Sequence, residues 1–364
     1  MIPIAKPIIG KEEKEAVTEV LNSGMLAQGK KVKELEERFA RLCETKYAVA
    51  LSSGTAAIHA ALYAIGIKEG DEVITTPFTF VATASPILMQ RAKVVFADVQ
   101  EDTFNIDPDD VKRKITPKTK AIIVVDLFGQ PADYDKLSKI AKEHNIVLVE
   151  DACQAVNAEY KGRKTGSFGK VAAFSLYATK NIVSGEGGIL TTNDEEIYEK
   201  AKMFRHHGQS EKIRYEYLDL GYNYRMTDVH AAIALSQLHK LDEFTNKRIE
   251  NAKMLTEGLK NIPGITVPVI KDNVKHVFHQ YTIKLNGFKL LRDQLIEKLK
   301  SKGIESAIFY PKPLHLQPSF KKMRYKEGDF PIAEKLSKEV LSLPVHPAVT
   351  KDDIRTIINA IKEL

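Results

Sequence analysis

One lysine sets the chemistry that the rest of this sequence has to support. Lys180 stands between an apolar strand-like run, Val171 to Leu176, and a glycine-rich turn, Gly185-Glu186-Gly187-Gly188, that leads into a second apolar run ending at Thr192. A chain that leaves a core strand, turns tightly and re-enters the core presents its side chains to a pocket rather than to bulk water. A free lysine titrates near ~10.4, so burial or a cationic neighbour has to lower that value before the amine can act as a nucleophile or proton carrier at neutral pH. The setting of Lys180 predicts a covalent lysine.

Two further stretches carry groups that complement an amine. Ser52-Ser53-Gly54-Thr55-Ala56 lies where an apolar strand, Tyr47 to Leu51, gives way to a small-residue helix. Backbone N–H groups and the helix dipole make that position an anion site, and Gly54 lets a phosphate approach the backbone; an ordinary helix cap reads equally well from the same residues. Glu150-Asp151-Ala152-Cys153-Gln154 follows the apolar strand Ile146 to Val149. The carboxyl ends of parallel strands are where ligands bind, so Asp151 is placed to meet a cationic ligand group, although a helix cap or solvated acid fits the motif alone. Cys153 reads as a small core residue. Together the three stretches match what pyridoxal phosphate chemistry needs: a lysine that forms the internal aldimine, an acid that keeps the pyridine nitrogen protonated, and an anchored phosphate. No GxxxxGK[ST] loop and no GxGxxG after a strand occurs, which counts against nucleoside triphosphates and dinucleotides.

The elements that would position these groups alternate along the chain. Predicted helices at Glu12 to Leu21 and Val32 to Leu42 form an entry arm. Strands at Tyr47 to Leu51, Glu72 to Thr75, Lys93 to Ala97, Ala121 to Val125 and Ile146 to Glu150 alternate with helical stretches, and the two runs flanking Lys180 add strands. Such alternation predicts a doubly wound α/β domain with a mainly parallel sheet. Thr227 caps a predicted long helix that runs to Pro263-Gly264 and bridges to a smaller C-terminal α/β layer. That layer is read as strand Gln280 to Leu285, helix Leu290 to Lys302, strand Ile304 to Phe309, a proline-rich loop and two helices. The expected domains are residues 1–245 and 246–364.

Composition fits that reading. With 364 residues, two domains are the prior, and the 43% hydrophobic content is enough for both cores. The charge of +6 comes from 54 basic and 48 acidic residues that interleave, a solvated surface rather than a nucleic-acid footprint. No apolar run approaches a membrane span and the N-terminus lacks a signal-peptide layout, so a cytoplasmic location is expected. Cys43 and Cys153 form no CxxC pair. His206-His207 and His276 with His279 read as ordinary polar positions, and no metal is expected.

The motifs resemble the DegT/StrS group of pyridoxal-phosphate-dependent nucleotide-sugar aminotransferases, over nearly the whole chain. The resemblance is carried by Ser53-Gly54-Thr55-Ala56-Ala57, Gly70-Asp71-Glu72-Val73-Ile74, Thr79-Phe80, Glu150-Asp151-Ala152, Phe174-Ser175, Lys180-Asn181, Gly185-Glu186-Gly187-Gly188, Gly221-Tyr222-Asn223 and Tyr310-Pro311. It implies an aspartate-aminotransferase-like fold (fold type I) with Lys180 as the aldimine lysine and Asp151 as the pyridinium partner. Gln154 would neighbour the ring oxygen and Phe80 would stack on the ring. Gly54, Thr55 and Ser175 would hold the phosphate, and Asn223 would reach the cofactor of the neighbouring subunit in a homodimer with shared sites. The implied reaction is ping-pong transfer of an amino group, usually from glutamate, to a keto-hexose linked to UDP, dTDP or GDP, in a setting such as polysaccharide biosynthesis. Tyr310, His315, Arg205 and Gln317 are the candidate sugar contacts. Asp126, Asn157 and Gln90-Arg91-Ala92 depart from the family pattern. A non-sugar cyclic ketone as acceptor, or a non-catalytic regulator on the same scaffold, are the rival readings.

Overall fold

The computed structural model describes all 364 residues. Helices α1 (Lys11–Ser23) and α2 (Lys30–Leu42) form the N-terminal arm, joined through Gly24, whose left-handed backbone closes α1. Alternation then begins: β1 (Tyr47–Leu51), α3 (Gly54–Ala64), β2 (Glu72–Thr75), α4 (Ser85–Met89), β3 (Lys93–Phe96), α5 (Pro108–Lys114), β4 (Thr119–Val125), α6 (Tyr134–Glu143) and β5 (Val147–Asp151). A short hairpin of β6 (Glu159–Tyr160) and β7 (Arg163–Lys164) precedes β8 (Val171–Ser175), β9 (Gly188–Thr192) and α7 (Glu195–Arg205).

Seven strands form one sheet in the order β1-β9-β8-β5-β4-β2-β3. Every neighbouring pair is parallel except the two that involve β9, which runs against both β1 and β8. Successive residues face opposite layers: Ile123, Val125 and Val149 pack with α3, whereas Ile122, Val124 and Leu148 pack with α6. A sheet covered on both faces explains why its strands read as continuous apolar runs rather than alternating ones.

The second half starts with α8 (Asp228–His239) and α9 (Leu241–Leu259). One continuous helix was expected there, but the chain breaks at Lys240, whose Nζ is held by Glu12 and Glu13 of α1. The break lets α8 lie on the arm while α9 turns toward another core. Leu241 and Phe244 pack with the arm and sheet, and Ala252, Leu255 and Leu259 pack with the C-terminal residues. The expected boundary at 245/246 falls inside α9. Then follow β10 (Ile265–Thr266), β11 (Val274–Lys275), β12 (Tyr281–Leu285), α10 (Arg292–Ser301), α11 (Pro331–Glu339), β13 (Val340–Leu343) and α12 (Lys351–Lys362).

Residues 304–309 do not form the expected strand. Ile304 bridges to Ile2 and Ala307 to Ser342 as isolated pairs, and β13 takes the third place in the small sheet, β10-β12-β13. The chain N-terminus pairs with this segment instead: the Ile2 N–H donates to the Gly303 carbonyl (2.7 Å) and the Glu305 N–H to the Ile2 carbonyl (2.9 Å). No helix is long and apolar enough to cross a membrane.

Arm and body are tied by one carboxylate. Asp228, at the start of α8, accepts hydrogen bonds from the backbone N–H groups of Gly29 (2.8 Å), Lys31 (3.2 Å) and Val32 (3.0 Å), capping α2 from a distant part of the chain. Asp228→Ala is expected to cost about 2 kcal/mol of stability, read as a lower urea midpoint, because charged hydrogen bonds of this kind are lost together.

Candidate active site

The sheet topology brings the chemistry-bearing residues to one edge. Ser53 to Thr55 follow β1, Asp151 ends β5, Ser175 ends β8, and Thr79 to Thr83 lie beyond β2. They surround a cavity of roughly 570 Å³, which Phe309, Tyr310, His279 and Gln280 close from the C-terminal half. Of the residues singled out from the sequence, Gly54, Thr55, Phe80, Asp151, Gln154, Ser175, Lys180 and Tyr310 all line this space.

Lys180 enters from a tight loop. Its N–H donates to the Tyr177 carbonyl (2.9 Å), and the flanks are zipped by Leu176 N–H to Gly187 O and Ser184 N–H to Leu176 O (both 2.8 Å). Burial lowers the amine's pKa from the usual lysine value, opposed by the charges of Cys153 and Asp151. Asp151 is 4% exposed, and its partners are a hydroxyl and a backbone amide, neither charged. Thr83 Oγ1 donates to Oδ2 (2.7 Å) and the Cys153 N–H to Oδ1 (3.2 Å). Thr83 is braced in turn by Thr79 (2.9 Å). Gln154 is oriented at both ends: Oε1 accepts from the Phe128 N–H (2.8 Å) and Nε2 donates to the Tyr310 hydroxyl (3.1 Å), leaving one amide N–H for a ligand.

The anion cradle is built at the N-terminus of α3. Ser53 caps it through Oγ, accepting from the Ala56 N–H (3.1 Å). A Cβ at Gly54 would lie 3.0 Å from both Cys153 Sγ and Ser175 Cβ, so only glycine keeps the turn this close to β8.

Beneath Asp151, on the opposite face of the sheet, lie two more acids. Asp126 and Glu150 are fully buried without a cation. Asp126 accepts from Tyr134 OH and the Ala132 N–H (both 2.9 Å), and Glu150 from the N–H groups of Gly166 and Phe168. Burial, then the charge of Glu150, pushes the Asp126 pKa well up; burial raises Glu150 to about 7 against its backbone donors.

Four sequence candidates lie elsewhere, among them Gln317, whose Nε2 donates to the Lys312 carbonyl (3.3 Å). Arg205 is buried against Glu36, Nη1 to Oε1 at 2.5 Å, and the Ala50 carbonyl, so its charge is already answered inside the arm interface. His315 is buried beside Glu334 (2.9 Å) with its ring edge-on to Phe330. Both residues form interior polar pairs outside the cavity. Asn223 is exposed and outside this cavity, between Tyr222 and Tyr224, whose rings stack 4.9 Å apart. Conversely, His279 and Cys153 were read as ordinary residues and line the cavity. Gln280, Thr83 and Glu186 line it as well. Only Cys153, two residues after Asp151, carried a positional hint.

A family model described as the DegT/DnrJ/EryC1/StrS aminotransferase family matches residues 7–362. The chain is 37% identical over 367 residues to GDP-perosamine synthase from Caulobacter vibrioides, covering 100% of this chain and 98% of that protein. It is 36% identical over 353 residues to dTDP-3-amino-3,4,6-trideoxy-alpha-D-glucose transaminase from Streptomyces venezuelae, covering 97% and 92%. The solved structure of Spr1654 from Streptococcus pneumoniae in its PLP form superposes with a TM-score of 0.94 at 31% identity, covering 100% of this chain and 98% of that one.

The residues fit pyridoxal phosphate. An unpaired buried carboxylate suits a pyridinium N–H, the amine of Lys180 is half-buried without an ionic partner, and the glycine turn at a helix N-terminus suits a phosphate. Gly54→Ala is expected to weaken pyridoxal phosphate about 10- to 100-fold by equilibrium titration, the cost of overpacking against Cys153 and Ser175.

The acid pair gives a pH signature. Because both carboxyl groups titrate higher in the folded chain than near ~4 unfolded, the stability tied to them is greatest at low pH. It falls as pH rises through the Glu150 value of about 7. Asp126→Asn keeps an acceptor for Ala132 and Tyr134 and removes one charge. Urea unfolding at a series of pH values is expected to show a flatter profile and a higher midpoint than wild type at pH 8.

Proposed function

The chain belongs to the DegT/DnrJ/EryC1/StrS aminotransferase family, and on that premise we propose that it transfers an amino group from glutamate to a keto carbon of a nucleotide-linked hexose. It is a pyridoxal-phosphate-dependent aminotransferase with the aspartate-aminotransferase-like α/β fold. The observation that carries the finer reading is the Lys180 amine, half-buried and without an ionic partner, sharing one cavity with Asp151 and the Gly54 cradle.

Bound pyridoxal phosphate supplies an electron sink for negative charge on the carbon next to the bonded nitrogen. Gly54, Thr55 and Ser175 would hold its phosphate, and Asp151, fixed by Thr83 and the Cys153 N–H, would face the ring nitrogen. Gln154 offers its free amide N–H to a ring oxygen, and Phe80, more than half exposed at the mouth, offers an aromatic face to the ring.

Lys180 would anchor the cofactor and, with its amine free, serve as the base. Its lowered pKa keeps more of the amine neutral near pH 7, so Nζ can take the proton from the donor's α-carbon. In the second half-reaction Nζ gives a proton to the sugar carbon that receives nitrogen. The Tyr310 hydroxyl, positioned by Gln154, is the nearest candidate for a sugar contact.

A homodimer with shared sites completes the proposal, acting in the cytoplasm. Asn223 is exposed on the same stretch as Ile213, Tyr215, Tyr217, Leu218 and Leu220, all at least 56% exposed. Such an apolar strip is what a second copy would cover, bringing Asn223 to the partner's phosphate.

The test is mass spectrometry of products from UDP-, dTDP- and GDP-linked keto-hexoses supplied with glutamate. One of them is expected to gain an amino group in place of the keto oxygen; cofactor-loaded protein that aminates none of them overturns the substrate class. Lys180→Ala is expected to lose the borohydride-reducible link to the cofactor and at least about 10⁴-fold in turnover.

A further inference from the structure

Residues 206–224 leave the end of α7 and return beside it. The Tyr222 and Tyr224 N–H groups donate to the carbonyls of Phe204 (2.8 Å) and Arg205 (3.0 Å), and His206 bridges to Asn223. Two glycines close the neck of this excursion, backbone against backbone. A Cβ on Gly208 would lie 1.8 Å from the Asp219 carbonyl oxygen, and one on Gly221 would lie 2.0 Å from the Gly208 nitrogen. Beyond the neck is the exposed apolar strip from Ile213 to Leu220, and Asn223 stands at its base.

The same segment is fastened to the phosphate cradle of its own chain. The Tyr224 carbonyl accepts from the Ser52 N–H (2.8 Å), one residue before the cap of α3, and Leu51 bridges to Arg225. Two side chains of α3 complete the attachment. His59 Nδ1 lies 3.1 Å from the Tyr224 hydroxyl, and the Tyr63 hydroxyl donates to Asp219 (2.6 Å). Both rings pack on Phe204, Tyr63 stacked at 4.2 Å and His59 edge-on at 5.0 Å. Burial brings the His59 pKa down to about 4, so its bond to Tyr224 joins two neutral groups at pH 7.

Thr55, His59 and Tyr63 are four residues apart and share one face of α3. That face runs from the anion cradle to the root of the strip. Asn223 nevertheless lies outside the cavity that the cradle serves. The chain has therefore anchored Asn223 to its own phosphate site without bringing it into that site. Such an anchor suits a residue that works in a second copy, where its position depends on the body from which it is extended.

We propose that His59 and Tyr63 are positioning residues that act in trans: from α3 of one subunit they hold Asn223 for the cofactor phosphate bound in the other. The assignment rests on the shared-site homodimer proposed above and adds to it the groups that aim the shared residue. An untied excursion samples many conformations, and a hydrogen bond weakens steeply once its donor leaves a narrow range of distance and angle. Fixing the root of the excursion on the cradle helix removes that freedom before the phosphate arrives.

Mixed dimers of the full chain, isolated through a different affinity tag on each subunit, separate the two directions. Lys180→Ala on one subunit leaves the other as the only site that links the cofactor, so the absorbance of lysine-linked cofactor reports a single site. In the first mixed dimer, Lys180→Ala is opposite a subunit carrying Tyr63→Phe and Tyr224→Phe, which remove both hydroxyls and keep every ring. Equilibrium titration with pyridoxal phosphate is expected to match, within about 2-fold, a dimer of Lys180→Ala with wild type. In the second, all three substitutions are on one subunit and the other is wild type; pyridoxal phosphate is expected to bind about 10-fold more weakly, the cost of loosening a hydrogen bond to an anion. Loss in the first dimer, equal loss in both, as a merely structural role would give, or loss in neither overturns the positioning role. Should the paired substitutions not fold, Tyr63→Phe alone carries the same comparison, with about 3-fold weaker binding expected in the second dimer only. Asn223→Ala in the same two arrangements tests the reading beneath: a chain that forms no dimer, or an Asn223→Ala loss that does not appear in the opposite subunit's site, overturns the shared site itself.

Discussion

A missing side chain at position 188 holds the site together. A Cβ on Gly188 would lie 2.2 Å from the Ser53 carbonyl oxygen and 2.7 Å from the Gly54 nitrogen. Gly188 opens β9, pairing with Leu51 of β1 on one side and Ser175 of β8 on the other. The strand that returns from Lys180 is thereby wedged between the two strands whose ends form the phosphate cradle. Any larger residue would push β9 from the first turn of α3 and separate Ser53-Gly54 from Ser175. The lysine loop and the cradle are one construction, fixed by backbone contact.

This explains what was legible and what was not. The lysine loop could be read because its glycines punctuate two apolar runs, and the alternating strands could be read because both sheet faces are buried. The reversed direction of β9 could not, since apolar content does not encode strand polarity; the glycine-rich connection from Ser175 to Gly188, which forms no helix, is the trace it leaves. The break at Lys240 was hidden because lysine is a good helix former, and the partners its side chain meets there, Glu12 and Glu13, lie more than two hundred residues away. Residues 304–309 carry strand-like residues, but their pairing partners, Ile2 and Ser342, permit only isolated bridges.

Charged residues divide the same way. Asp151 and Lys180 could be located because each follows a strand and the strand ends define the ligand edge. Arg205 and His315 were equally attractive by residue type, yet Glu36 and Glu334 meet them in the interior. A sequence does not reveal which cations find a carboxylate on folding. The converse failure is Arg248, one basic residue among many on α9, whose distinction is that nothing anionic meets it.

Around Lys180 the buried titratable groups are sorted by type. Asp126, Glu150 and Asp151 lie beneath one side of the cavity, and Arg248, His279 and His346 lie behind the lysine. Mixing the two sets would let them neutralise each other as interior salt bridges, which would relieve the protein but leave no field in the cavity. Kept apart, Asp151 is left free to face a cationic ring nitrogen, and Arg248 keeps only backbone carbonyls as partners. The folded chain thus leaves Asp151 without a cation of its own, and the complement of that carboxylate is a pyridinium beside Lys180.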